Sequence, residues 1–217
     1  DQGSCGCPAC SPWACNGFLK CARLEADLAR AAWPGVSVVL STWMFREWEA
    51  FRAAFPEPPA WVDLLLAEPP RAGIVPGAVP VVGFPEISMW GMNPWGGYGA
   101  TPLPERHERL WREAAPLCEG GFPYSEGRFE DINKVLYGGF YWEPARPAAD
   151  ILAEYVGYEF SPAVVAEVCG AVRILERNHR QPDPDLAQEA DALLGRAEAR
   201  LSDAARSSWR WRILRIR

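Results

Sequence analysis

The chain has 217 residues, 49% of them hydrophobic, which is ample for one core and a small second one. Its 22 Lys and Arg against 28 Asp and Glu leave a net charge of −6, which argues against the phosphate backbone of a nucleic acid as the main partner. No run approaches the roughly 18 uninterrupted apolar residues of a membrane span, so the expectation is a soluble chain with no membrane partner, the cytoplasm slightly favoured over secretion. The sequence opens on Asp1 without a methionine and closes on a basic, aromatic run from Trp209, and neither end reads as a natural terminus.

Residues 1–16 are rich in Cys, Gly and Pro, and Cys5, Cys7 and Cys10 form a C-x-C-x-x-C run. Thiolates so spaced can wrap a soft metal ion, typically zinc, with Cys15 as fourth ligand. One disulfide or free buried thiols fit the spacing as well, and the odd total of seven cysteines rules out complete internal pairing. No cofactor is required by any other motif, so a structural zinc at this loop is the open alternative.

From residue 17 to 33 apolar residues recur at helical spacing until Pro34-Gly35 stops the run. Residues 36–40 are β-branched and nearly continuously apolar, the pattern of a strand buried on both faces. Residues 45–55 read as a short helix, 61–67 and 79–84 as two further strands, and 104–115 as a helix with proline in its first turn. Residues 120–124 are a weaker fourth strand. Helical patterns follow to the end, broken near Pro144, Pro147, Pro162 and Pro182, with a last long helix from Leu186 to about Arg206.

Short apolar strands alternating with helices imply a parallel sheet. The three strongest strands are therefore expected as parallel neighbours. The fold class predicted is α/β: the C-terminal half of a (β/α)8 TIM-like barrel over residues 1–128, with about four of its strands, then a helical region over 129–217. One connection fits poorly, because residues 68–78 hold no helix and parallel crossovers usually need a dozen or more residues.

Each strand runs into a loop with polar or aromatic residues: Trp43 after the first, Glu68 after the second, Glu86 and Trp90 after the third, Glu126 after the fourth. In parallel α/β folds, loops at the carboxyl ends of strands converge on one face, where active sites form. Glu86 and Glu126 follow neighbouring strands, and two carboxylates on one rim are what glycosidic bond cleavage needs. Trp90 and Trp95 lie among glycines, and with Tyr124 they offer flat apolar faces suited to a sugar ring, so both indoles are expected to be partly exposed along a cleft. His107 and His179 lie on helical stretches without a partner motif and read as surface or packing residues.

The opening, with its C-x-C-x-x-C run and Asn16-Gly17-Phe18 at a helix start, resembles the midsection of bacterial glycoside-hydrolase-like (β/α) barrels related to the hexosaminidase and α-glucuronidase groups. Phe140-Tyr141-Trp142-Glu143-Pro144, Ile151-Leu152-Ala153-Glu154-Tyr155 and Tyr158-Glu159-Phe160 look like the segment after those barrels, so the resemblance covers roughly residues 1–175. It implies a carbohydrate substrate and places Asp1 at the end of a central strand, on the active-site face. The chain departs from the hexosaminidase pattern in lacking an adjacent Asp-Glu pair at a strand end, which leaves the substituent-assisted mechanism of that group without support. The expected function is glycosidic bond hydrolysis by Glu86 and Glu126, with Asp1, Trp43, Glu68, Trp90, Trp95 and Tyr124 binding substrate. The remaining strands would come from a missing N-terminal half or an oligomer partner. A carbohydrate-binding protein without catalysis, or a metal-dependent protein built on the Cys loop, are the competing readings.

Overall fold

The structure, a computed structural model, describes residues 18–41, 60–67, 79–85, 87, 101–125 and 129–216. The chain divides into two compact units, Asp1–Pro85 with Glu113–Phe122, and Glu86–Arg112 with Pro123–Arg217. The expected helix at 45–55 and the loop at 68–78 lie outside the described residues.

In the first unit, helix α1 (Phe18–Ala32) precedes strands β1 (Val39–Ser41), β2 (Leu64–Ala67) and β3 (Val81–Gly83), and β4 (Gly120–Gly121) comes later in the chain. All pairings are parallel and the spatial order is β1-β2-β3-β4, so the three expected neighbours are neighbours, with the weaker fourth strand beside them. Leu40 aligns with Leu65, Leu65 with Val81, and Ala67 with Gly83. Because side chains alternate along a strand, this register puts Leu40, Leu65, Ala67 and Val81 on one face. They pack with Leu19 and Ala26 of α1 and with Trp61 and Val62.

The opposite face is only half-buried at Leu64, Leu66 and Val82, and Val39 is 52% exposed. The double burial expected from the composition of residues 36–40 is therefore corrected: the described residues cover one face of β1 and leave the other open. At the amino ends of the strands, Asp63 accepts a hydrogen bond from the Val38 backbone N–H at 2.6 Å and an ion pair from Arg30 at 2.7 Å. This ties the end of α1, the start of β1 and the start of β2 together.

The second unit is helical. Helix α2 (Pro104–Ala114) begins in it, and α3 (Asp131–Trp142), α4 (Ala148–Glu159), α5 (Val165–Arg180), α6 (Pro184–Glu198), α7 (Asp203–Ser207) and α8 (Trp209–Ile216) follow. Proline opens α2 and α6, where its missing N–H costs nothing, and the Asp183 carboxylate caps α6 by accepting the Asp185 N–H at 2.9 Å. At one point α3 and α4 approach closely. A Cβ on Gly139 would sit 2.6 Å from Cδ1 of Ile151, so any side chain there would have to push Ile151 aside. The core joins Leu152, Val156, Phe160, Val168, Val172, Leu194 and Trp211.

The single helix expected from Leu186 to about Arg206 is corrected to two. Arg200 N–H bonds the Ala197 carbonyl and Leu201 N–H the Glu198 carbonyl, three residues back instead of four. That tighter turn carries Leu201 into the core, 5% exposed, and Ser202 then caps a new helix by accepting the Ala205 N–H at 3.2 Å. Among the described residues no helix is long and apolar enough to cross a membrane.

Candidate active site

Strands β2, β3 and β4 end side by side at Ala67, Gly83 and Gly121. The ladder runs one step further: Phe84 N–H donates to the Ala67 carbonyl and Phe122 N–H to the Gly83 carbonyl, each at 2.7 Å. The Phe84 and Phe122 rings stack with centroids 6.2 Å apart. The carboxyl ends of parallel strands are where α/β folds assemble their sites.

Within the helical unit, the segments that follow β3 and β4 in the chain are joined. Ile87 N–H donates to the Tyr124 carbonyl at 3.0 Å. Ile87 is buried and Tyr124 half-buried. The residue after Glu86 is thus bonded to the residue two before Glu126. Tyr124 is the one expected site residue that is described. Asp1, Trp43, Glu68, Glu86, Trp90, Trp95 and Glu126, and the thiols of Cys5, Cys7, Cys10 and Cys15, lie outside the described residues.

Three buried polar side chains of the same unit make hydrogen bonds to its backbone or to a hydroxyl. The Asn133 amide grips a loop twice, accepting from Leu103 N–H at 3.0 Å and donating to the Thr101 carbonyl at 2.9 Å. Both oxygens of Glu176, on α5, accept backbone N–H groups in the first turn of α2, from Glu105 at 2.9 Å and Arg106 at 2.8 Å. A carboxylate there also meets the positive end of the helix dipole. Glu130 accepts the Ser125 hydroxyl.

None of these three was singled out from the sequence. Glu176 shares a helical face with Val168 and Val172, so a charge on an apolar stripe was the available signal. Asn133 breaks the apolar run around Ile132 and Leu136 in the same way. Glu130 at a helix start reads as any solvated acid.

His107 is a packing residue, as its context suggested. It is fully buried, its ring meets Tyr137 edge-on at 5.2 Å, and neither ring nitrogen has a hydrogen-bond partner among the described residues. Burial, reinforced by the Arg106 charge, brings its imidazole down to about 3, so it stays neutral and cannot serve as a proton carrier near neutral pH.

Among the described residues no group of three or more His, Cys, Asp or Glu side chains is arranged to hold a metal ion. Cys21, Cys118 and Cys169 are free thiols, and burial pushes Cys118 and Cys169 up, away from the reactive thiolate. A cavity of about 30 Å3 lies among Phe129, Asp131, Tyr155, Trp209 and Arg210. That is room for a water or two. Its polar wall is internally matched, Arg210 pairing with Asp131 at 2.5 Å and Glu159 at 3.3 Å.

The chain matches no family profile, no curated protein and no solved structure.

Proposed function

We propose that this chain supplies about half of a (β/α) barrel of the glycoside-hydrolase type, with Glu86 and Glu126 as its carboxylate pair. Strand order supports the barrel. Four parallel strands in sequential order, β1-β2-β3-β4, wind in one direction, whereas doubly wound sheets reverse their order at a switch point. A single winding puts its helices on one face. Here α1 covers one face and the other stays half-open, as a barrel interior would when its remaining strands come from elsewhere.

The observation that carries the catalytic reading is the Ile87–Tyr124 hydrogen bond at 3.0 Å, which joins the segments bearing the two glutamates. One carboxyl group protonates the leaving oxygen. The other attacks the anomeric carbon when the pair is about 5–5.5 Å apart, or activates water when it is about 6.5–9.5 Å apart. Tyr124 stands two residues before Glu126, where its ring can stack on a sugar.

Hydrolysis of a panel of 4-nitrophenyl glycosides by the chain, alone and with the barrel half that completes it, tests the proposal. Glu86→Gln and Glu126→Gln should each lower turnover by roughly 10²- to 10⁴-fold while tryptophan quenching by oligosaccharide persists. Quenching without turnover in the wild type would replace the hydrolase with a carbohydrate-binding protein. Turnover unchanged in both variants would remove the pair.

A further inference from the structure

We infer that helix α1 is a docking seam for a second copy of this chain, the two helices running parallel about a two-fold axis, independently of any hydrolytic activity. Helix α1 (Phe18–Ala32) has two apolar faces. Leu19 and Ala26 carry one of them into the sheet core. Cys21, Leu24, Leu28 and Ala31 fall within about 80° of one another on the opposite side, at 3.6 residues per turn. All four are exposed, Leu24 at 61% and Leu28 at 63%. A single exposed leucine needs no explanation, but a stripe at alternating three- and four-residue spacing is the seam of a helix pair. The outward face of a helix that meets only water is polar.

Charge selects the occupant. Lys20 and Glu25 flank the stripe on opposite sides, five residues apart. Arg23 pairs with Asp27 at 2.8 Å and Arg30 with Asp63 at 2.7 Å, whereas Lys20 and Glu25 enter no ion pair among the described residues. In a parallel helix pair, the position just before a seam residue faces the position five further on in the other helix. A two-fold axis along the seam therefore sets each Lys20 against the other copy's Glu25, so the face complements itself through two ion pairs. An antiparallel pair would set Cys21 against Ala31 and separate those charges. The helix is about 22 Å long, short for a coiled coil that must also form its helices. Here the sheet core already holds α1 in place, so association does not carry that cost.

Sedimentation of the full chain under reducing conditions, from about 1 to 200 µM, tests the seam, because a contact this small gives a Kd in the micromolar range. The expected result is a monomer–dimer equilibrium. Leu24→Glu and Leu28→Glu should each weaken it at least about 100-fold, since each puts a charge into the seam, with the melting temperature of the monomer unchanged. Lys20→Glu should weaken it about 10-fold, and Lys20→Glu combined with Glu25→Lys should restore it by exchanging the pair. In the parallel register the two Cys21 thiols meet across the seam. Oxidation by copper–phenanthroline should therefore trap a disulfide-linked dimer that Cys21→Ser abolishes. A monomer throughout the range overturns the inference and leaves the stripe to a helix of another protein. A dimer that both leucine variants leave intact overturns it as well, and a leucine-dependent dimer without the Cys21 cross-link overturns the parallel two-fold. Should the leucine variants fail to fold, the charge exchange decides alone, and no weakening by Lys20→Glu overturns the seam.

Discussion

In the sheet unit every described buried side chain is apolar, from Leu19 and Ala26 on α1 to Leu65 and Val81 on the strands, whereas the helical unit buries Thr101, His107, Glu130, Asn133 and Glu176 beside its larger apolar core. The difference is one of task. A parallel sheet satisfies its polar backbone through the ladder, so its side chains can be chosen for packing alone, and the ladder fixes where each strand ends. The buried polar groups of the helical unit mostly bind irregular backbone or the exposed first turn of a helix. Asn133 bonds the backbone of Thr101 and Leu103, Glu176 the start of α2, and Glu130 the Ser125 hydroxyl. Strand ends set position, and buried polar groups set direction.

The contrast can be broken most forcefully at Trp211. This indole is 1% exposed and meets Phe160 edge-on at 5.3 Å. Trp211→Ala should cost about 3–5 kcal/mol. Amide exchange should then quicken across α4, α5 and α6 while the sheet strands keep their protection. Equal loss in the strands would mean that the two cores respond as one.

His107 gives a smaller, pH-dependent effect. Its folded value of about 3 lies below its ordinary 6.5, so the unfolded chain takes up a proton that the folded one refuses. Stability is complete above pH 6.5 and declines as the pH falls from there toward 3, by about 2 kcal/mol between pH 7 and 5. His107→Phe keeps the edge-on contact with Tyr137 and removes the titration. Urea midpoints at pH 7 and 5 should therefore differ less in the variant than in the wild type, and equal differences would show that His107 titrates normally.

The smallest effect belongs to the sheet unit. The Val38 N–H holds the Asp63 carboxyl below its ordinary 3.8, against a lesser opposing effect of burial and with help from Arg30. A lowered carboxylate stabilises the fold above its unfolded value, and that stabilisation fades as the pH drops through the folded one. Asp63→Asn should lower the melting temperature slightly at pH 7 and by less at pH 3, because exposed pairs contribute little. A variant that melts equally below wild type at both values would assign the loss to geometry and not to charge.

Local chemistry made much of this architecture legible. Continuous apolar runs at 36–40, 61–67 and 79–84 marked three parallel neighbours, although the paired segments shrink to Val39–Ser41, Leu64–Ala67 and Val81–Gly83. Pro104 marked a helix start, whereas Pro184, read as part of a break before a helix from Leu186, itself opens α6. The break at Leu201 was hidden because no Gly or Pro announces it; tertiary burial of one leucine overrides a favourable helical sequence. At the site, position alone distinguished Glu86 and Glu126. The roles of Glu130 and Glu176 were illegible, since a buried acid and a solvated one are the same letter, and only packing separates them.

The last helix has a consequence for the order of synthesis. Trp211 and Leu214 complete the core of the helical unit, Arg210 meets Asp131 and Glu159, and Arg215 meets Asp191 and Glu198. On the ribosome these residues emerge about 50 positions after Phe160, a delay of roughly 3–10 s at 5–20 residues per second. For that interval α3 and α4 are outside the exit tunnel with Asp131 and Glu159 unmatched by Arg210 and the Phe160 side of the indole's seat open to water. A nascent chain in that condition is a natural client for a chaperone that shields apolar surface, and its release would follow the arrival of Trp211.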